Sequence, residues 1–283
     1  DMTVFFGFCG IKGYNHLRYP EAHPHSPWSM LELKRTPETN IFDMIREKDL
    51  LIHLPYESFD ESVVNFLYSA ANDKDVLAIK QTLYRVSSSS PVVQALEKAV
   101  QNGKQVTVLM EVKARFDEAN NILMARRLEK AGAHVIYGLV GLKTHSKCTL
   151  VIRREKDGIR RYVHVATGNY NASTAKLYTD LGILTCNDRF GIDASAFFNL
   201  LSEYSDPPIW DSFIVAPINL RQRCIELIDR EIHFAKNGED AHMIAKMNSL
   251  LDKGIIEKLY EASQAGVKIE LIVRGICVLI PGI

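Results

Sequence analysis

The sequence lacks clustered cysteines, and this excludes two classes of site. No Cys-x-x-Cys pair occurs, which argues against a zinc site, and the scattered thiols give no sign of a disulfide framework. We therefore expect a reducing, cytoplasmic compartment. The five cysteines are Cys9, Cys148, Cys186, Cys224 and Cys277.

The chain also lacks an excess of charge and a long apolar segment. Basic and acidic residues both number 34, so no bulk charge draws the protein to nucleic acid or anionic lipid. The longest apolar run, 269–283, is interrupted by Glu270 and Arg274, and the N-terminus shows no signal pattern. We expect no nucleic-acid partner and no integral membrane segment, while peripheral contact with a membrane stays open.

What is present is ordinary globular composition, with 47% hydrophobic and 24% charged residues in 283. Residues 1–31 are irregular and rich in proline and histidine, which favours a linker or the remnant of a preceding domain over a metal-binding histidine cluster. The break in composition around 205–210 divides the rest into residues 32–212 and 213–283. The chain begins and stops without end signals, so we expect a fragment.

Residues 58–204 alternate between helical and strand patterns. The spacing predicts helices near 58–72, 91–102, 120–131 and 190–204, and strands near 76–83, 106–112, 135–137, 148–152 and 162–166. Such alternation is typical of βαβ units. The predicted fold is therefore α/β, with a mixed, largely parallel sheet flanked by helices.

Two lysines flank one histidine immediately before the strand at 148–152. Alternation along an extended backbone would place Lys143, His145 and Lys147 on one side. Two ammonium groups aimed at one place need anionic partners, so the pattern fits a phosphate site in which the imidazole attacks phosphorus or protonates a leaving oxygen. The competing interpretation is three ordinary solvated side chains.

Two arginines strengthen the phosphate interpretation. Arg85 and Arg115 follow predicted strands, and the intervals from Arg85 to Arg115 and from Arg115 to His145 are equal, at 30 residues. Side chains just past the carboxyl ends of strands line the ligand crevice of an open α/β sheet. We therefore expect these cationic groups at one edge.

A turn, Thr167-Gly-Asn-Tyr-Asn, follows the strand at 162–166. The amides of Asn169 and Asn171 can orient an imidazole or bond a phosphate oxygen, although a simple turn is an equally good interpretation. Further along, Tyr178 and Asp180 are expected near the same edge.

Residues 213–283 resemble part of the preceding segment. An offset of 163 aligns Gly103 with Gly266 and superposes residues 95–109 on 258–272, with leucine, alanine, glutamine and glycine coinciding. This indicates an internal duplication. The second copy would then be incomplete, because a partner of His145 would fall near position 308.

A duplicated α/β unit with His-x-Lys followed by Gly-x-x-Asn resembles the phospholipase D superfamily. Within it, the stretches Leu83-Tyr-Arg-Val, Ala114-Arg-Phe-Asp-Glu, Gly141-Leu-Lys-Thr-His-Ser-Lys, Thr167-Gly-Asn-Tyr-Asn, Leu177-Tyr-Thr-Asp and Leu271-Ile-Val-Arg-Gly-Ile-Cys resemble, in order and spacing, the type 1 polyphosphate kinases. The resemblance covers roughly residues 42–283.

The resemblance implies reversible transfer of the terminal phosphate of ATP to inorganic polyphosphate, with Mg²⁺, through phosphohistidine at His145. It assigns Arg85 and Arg115 to the magnesium and phosphate region. Because guanidinium has no lone pair, we expect these arginines to reach Mg²⁺ only through phosphate oxygens. Tyr178 and Arg274 match positions that contact ATP.

The remaining expectations concern the other cationic and amide groups. Lys143 and Lys147 would neutralise the anionic chain, and Asn169 or Asn171 would help to orient His145. The partners implied are ATP, ADP and polyphosphate, and we expect a homo-oligomer.

Two alternatives stay open at this point. One is a phosphodiesterase of the superfamily, which would carry an acidic residue five positions after Lys147, where this chain has Ile152. The other is a polyanion-binding module without catalysis.

Overall fold

The computed structural model describes residues 2–20, 23–31, 39–87, 89–112, 118–139, 141–202 and 209–283. The chain forms two compact units, residues 1–211 and 212–283. Within the described residues, no helix combines the length and apolar character needed to cross a membrane.

The first unit begins with short 3₁₀-helical stretches at Met2–Gly10, Asn15–Leu17 and Trp28–Met30. Helix α1 (Ile41–Glu47) follows, and its first turn is capped by Asn40, whose side chain accepts a hydrogen bond from the Asp43 amide. Neither α1 nor strand β1 (Leu50–Leu54) was predicted.

Apart from β7, which was not predicted, the remaining elements of the first unit follow the predicted order. A π-helical turn (Asp60–Val64) leads into α2 (Asn65–Asn72). Next come β2 (Val76–Leu83), α3 (Pro91–Gln101), β3 (Gln105–Met110), α4 (Glu118–Ala131), β4 (His134–Tyr137), β5 (Cys148–Glu155), β6 (Gly158–Ala166), β7 (Asp180–Thr185) and α5 (Asp188–Leu201).

These strands form one seven-stranded sheet in the order β1-β7-β6-β5-β2-β3-β4. The α/β class and the mixed sheet are as predicted, but parallel pairing is confined to β2-β3-β4. The other four pairings are antiparallel. For β5 and β6 the cause is local: only two residues join these strands, and so short a connection can only form a hairpin.

The core of the first unit lies between the sheet and its helices. The apolar face of the segment 59–70 is buried as its spacing predicts, at Phe59, Val63, Phe66, Leu67 and Ala70. Helices α2, α3 and α4 contact β2, β3 and β4 respectively, and α5 contacts β5 and β6. This core holds the strand ends at one edge of the sheet in fixed positions.

The second unit contains α6 (Leu220–Lys236), β8 (His242–Met247), α7 (Lys253–Gln264) and β9 (Lys268–Val273). Strands β8 and β9 pair in parallel with α7 as the crossover, which repeats the β2-α3-β3 arrangement. The predicted offset of 163 carries β3 onto β9 residue for residue, and both crossover helices end at a glycine with positive φ, Gly103 and Gly266. The duplication is thus visible in the fold of each unit.

Candidate active site

One edge of the seven-stranded sheet gathers chain segments that are distant in sequence. Strands β2 and β3 end at this edge. Since β5 runs antiparallel to β2, its first residue lies beside the end of β2, where Gln81 pairs with Thr149. The antiparallel partners β6 and β7 likewise bring the turn at 167–171 and the start of β7 to the same edge. The unpredicted antiparallel hairpins therefore help to assemble the site.

Four of the predicted site residues converge on an aromatic ring, that of Tyr84. The His145 imidazole meets this ring edge to face, with centroids 4.9 Å apart and planes at 81°. Lys143 Nζ lies 5.1 Å from the ring centroid, Arg85 Cζ 5.5 Å and Lys147 Nζ 5.7 Å. We call these five residues the Tyr84 cluster. Its positive charge is suited to attracting a polyanion.

His145 is exposed on the surface of the cluster. Partial burial, followed by the charges of Lys147, Lys143 and Arg85, lowers the pKa of its imidazole below the ordinary value. Neutral imidazole is the nucleophilic form, so the surrounding cations favour the state that can attack phosphorus.

Lys147 differs from Lys143 in being almost fully buried, with 6% of its surface exposed. Its ammonium group donates a hydrogen bond of 2.5 Å to the carbonyl oxygen of His145. Burial lowers the pKa of Lys147 to about 8, and the nearby Asp180 carboxylate acts in the opposite direction. Burial therefore makes the positive charge of Lys147 unfavourable in free energy, and a nearby anion would offset this cost.

The segment that carries His145 is held by hydrogen bonds to two strands. The Thr82 hydroxyl on β2 donates to the Ser146 carbonyl at 2.9 Å and accepts from the Cys148 amide at 2.9 Å. Glu111, buried at the end of β3, accepts a 2.7 Å hydrogen bond from the Thr144 amide. Hydrogen bonds thus fix the backbone on both sides of His145.

Arg85 is the second residue after β2 and has φ at 55°, the only non-glycine residue with positive φ in the described part of the chain. Such a conformation costs free energy and persists when neighbouring contacts enforce it. Here the Asn171 amide donates a 2.7 Å hydrogen bond to the Arg85 carbonyl, and the side chain of Asn121 accepts one from the Val86 amide. These bonds on both sides direct the guanidinium towards the Tyr84 cluster.

The turn after β6 fits closely against β7. A Cβ added at Gly168 would lie 2.7 Å from Asp180 Oδ2, so this glycine allows an approach that alanine does not. The Thr167 hydroxyl donates to the same carboxylate at 2.8 Å. The turn therefore fixes Asp180, the carboxylate beside Lys147.

Tyr170 anchors the turn in the core through a buried hydrogen-bond chain. Its hydroxyl lies 2.8 Å from Thr149 Oγ1 and 2.8 Å from His164 Nδ1, and Thr149 also lies 2.6 Å from Gln81 Oε1. Because that amide oxygen can only accept, Thr149 donates to it, and Tyr170 then donates to Thr149 and accepts from His164. Burial lowers the pKa of His164 to about 3, so this histidine stays neutral.

The other predicted site residues lie in different surroundings. Asn171 bonds the Arg85 carbonyl and the turn amides of Ser173 and Thr174 rather than His145, while Asn169 Oδ1 is buried without a hydrogen bond from a described residue. Tyr178 is half exposed and lies shortly before β7.

Two predicted residues lie outside the first unit's described part. Arg274 belongs to the second unit, where its guanidinium donates to the Asn248 side chain at 2.9 Å and 3.1 Å. Arg115 lies outside the described residues, so its position stays a prediction.

Sequence reasoning assigned no role to Tyr84 or Glu111. Tyr84 stood within a quoted motif, but its contacts come from segments far along the chain. Glu111 lies near the end of a predicted strand. An acidic residue in an apolar run needs a partner when it is buried, and this signal could have identified it.

Two protein-family models match the chain. Polyphosphate kinase C-terminal domain 1 matches residues 40–207, and polyphosphate kinase C-terminal domain 2 matches residues 213–283. The chain belongs to the polyphosphate kinase family. The resemblance predicted from the sequence motifs is thereby confirmed.

Individual members of the polyphosphate kinase family agree with this assignment. Polyphosphate kinases of Halalkalibacterium halodurans and of a Synechocystis species are each 57% identical over all of this chain. A crystal structure of polyphosphate kinase from Porphyromonas gingivalis superposes on 96% of the chain with a TM-score of 0.84 and 38% identity. The chain covers 40% and 42% of the length of the two relatives and 44% of the crystallised chain.

Proposed function

We propose that the protein carrying this chain is an ATP:polyphosphate phosphotransferase. It transfers the terminal phosphate of ATP reversibly to inorganic polyphosphate through a phosphohistidine at His145. The observation that carries the proposal is the Tyr84 cluster, in which an exposed imidazole with a lowered pKa is surrounded by three cations. Membership of the polyphosphate kinase family supports it.

The reaction follows from the chemistry of the cluster. A ring nitrogen of neutral His145 attacks the terminal phosphorus of ATP, a nitrogen–phosphorus bond forms, the phosphorus–oxygen bond to the leaving group breaks, and ADP departs. A terminal oxygen of polyphosphate then attacks the same phosphorus, which releases the imidazole and lengthens the polymer by one phosphate. Lys143, Lys147 and Arg85 stabilise the negative charge on the transferred group throughout, which is the main requirement of phosphoryl transfer.

The described residues do not fit a protein-bound Mg²⁺. Among them, no three histidine, cysteine or acidic side chains lie close enough to hold a metal ion. Guanidinium and ammonium groups have no lone pair for a metal. We therefore propose that Mg²⁺ arrives on the phosphates of the nucleotide, and that Arg85 and Arg115 contact the oxygens of those same phosphates.

Roles beyond the cluster follow from the family resemblance. We assign Tyr178 and Arg274 to contacts with ATP, and Asn169 to orientation of His145 or a phosphate oxygen. We further propose a cytoplasmic homo-oligomer.

The test uses the complete gene product that carries this sequence, incubated with γ-labelled ATP. We expect acid-labile, alkali-stable label on the wild-type protein, its chase into polyphosphate or back into ATP, and no label on His145→Ala. His53→Ala, at an exposed histidine on β1, is the matched control and should be labelled normally. Absence of label on the wild-type protein would refute the proposal, and binding of polyphosphate without labelling would favour a non-catalytic module.

A further inference from the structure

Tyr84 lies at the centre of the cluster although a phenol ring carries no charge for a polyanion. It follows β2 directly, and 7% of its surface is exposed. We propose that Tyr84 is a positioning residue, whose aromatic ring orients the His145 imidazole and gathers Lys143, Lys147 and Arg85 around it for phosphoryl transfer. This inference rests on the proposed function.

The contact between the two rings supports the proposal that Tyr84 orients the His145 imidazole. Edge-to-face packing with centroids 4.9 Å apart is a favoured geometry of aromatic pairs. An exposed imidazole rotates about its terminal side-chain bond unless a neighbour restricts it. Contact with a buried ring supplies that restriction, so one ring nitrogen is presented to the phosphorus atom in a constant direction.

The positions of the three cations support the proposal that the Tyr84 ring holds them beside His145. Like charges repel, and an exposed lysine such as Lys143 would otherwise extend into water. The negative electrostatic potential of an aromatic face attracts cations at distances of the kind observed, 5.1–5.7 Å from the centroid. The ring thereby keeps three positive charges beside His145 before any phosphate is bound.

The simplest competing explanation is that Tyr84 only fills space in the core. The two explanations differ in what the ring must supply. Packing requires its shape, whereas gathering of cations requires the electron density of its face. A fluorinated ring of nearly the same shape separates them, because fluorine withdraws that electron density.

The experiment compares Tyr84→Phe, Tyr84→pentafluorophenylalanine and Tyr84→Leu in the complete gene product. The rate of His145 labelling from γ-labelled ATP and its pH dependence are measured, with pentafluorophenylalanine at the buried core position Phe66 as the matched control. We expect Tyr84→Phe and the Phe66 control to remain within about threefold of wild type. The fluorinated ring at position 84 should lower the rate about tenfold, and leucine about 100-fold.

The pH profile gives an independent readout. His145 faces Lys143, Lys147 and Arg85, while Asp180 lies near Lys147 and Glu111 bonds the adjacent backbone. When the ring no longer holds the cations, the imidazole should become more basic, so the acid limb of the profile should move to higher pH with the fluorinated ring. The profile of Tyr84→Phe should not move.

The outcomes separate the two proposals. An unlabelled wild-type protein refutes the proposed function itself. If the wild type is labelled and the fluorinated Tyr84 variant is labelled at the wild-type rate, with an unmoved acid limb, the role of the ring is refuted while the function stands. A Tyr84→Phe variant as slow as Tyr84→Leu would also refute it, because the hydroxyl rather than the ring face would then be needed.

Discussion

Replacing Gly168 by alanine adds one methyl group where the turn after β6 meets β7. The added Cβ would lie 2.7 Å from Oδ2, 2.8 Å from Cγ and 2.9 Å from Cβ of Asp180. Ordinary contacts of carbon atoms lie at about 3.5–4.0 Å, so three atoms are too close at once. Since one of them is the Cβ of Asp180, a side-chain rotation alone does not relieve the clash.

The loss of stability on replacing Gly168 by alanine can be estimated from this geometry. Extra methyl groups in well-packed regions destabilise proteins by about 1–3 kcal/mol. In a domain of this size each kcal/mol lowers Tm by about 2–4 °C. Displacement of Asp180 also removes a carboxylate that raises the pKa of Lys147, so the ammonium group should lose its proton at a lower pH than in the wild type.

The assay is thermal and urea unfolding followed by circular dichroism, together with the labelling rate of His145. Gly10→Ala is the matched control, because nothing lies within 4 Å of a Cβ added there. In an Asp180→Gly background the clashing atoms are gone, so the penalty of Gly168→Ala should fall to a few tenths of a kcal/mol. An undiminished penalty in that background, or a fully stable Gly168→Ala protein, would refute the reasoning.

Three further predictions concern the surroundings of the site. Tyr170→Phe should lower the free energy of unfolding by about 1–3 kcal/mol in urea titrations, because Thr149 and His164 lose a buried partner, whereas Phe at the exposed Tyr14 should change nothing. Arg85→Gly should be more stable than Arg85→Ala by about 1 kcal/mol because of the positive φ, with both losing polyphosphate affinity; equal stability would contradict the strained conformation. Calorimetric affinity for polyphosphate should fall as the pH rises through about 8, where Lys147 loses its proton, and Lys147→Arg should abolish that fall; a wild-type affinity that is constant to pH 9 would contradict the assignment.

Helix α3 and strand β2 could be predicted from sequence because their signals are local. Ser90 caps the helix by accepting from the Val93 amide, Pro91 occupies its first turn, and Gly103 follows its end with φ at 78°. Strand β2 begins with the apolar run Val76–Ile79, and it lies between β5 and β3 in the sheet, where such runs are buried.

Strands β1 and β7 were not predicted from the sequence because they are stabilised by pairing with each other. Leu51 is 63% exposed within β1, so the segment Leu50–Leu54 shows no alternation of apolar and polar residues. Its register is set by pairing of Leu50 with Leu184, far along the chain. The antiparallel pairings of β1 with β7 and of β2 with β5 both depend on such long-range contacts, whereas β5 and β6 form a local hairpin.

Much of the candidate site could be anticipated for a chemical reason. Lysine, arginine and histidine at regular spacing indicate a phosphate site because they can carry positive charge themselves, as at His145 and Arg85. Tyr84 and Asn171 act through contacts with other residues, and those contacts exist only in the folded chain. Sequence motifs therefore indicated the charges but not the groups that hold them in place.

The most direct test of the central claim is to locate the phosphate itself. After brief incubation of the complete gene product with ATP, phosphorus NMR of the denatured protein and mass spectrometry of its peptides should place one phosphate on the imidazole of His145, with none in His145→Ala. Phosphate on another residue, or turnover of ATP into polyphosphate by the His145→Ala variant, would contradict the account.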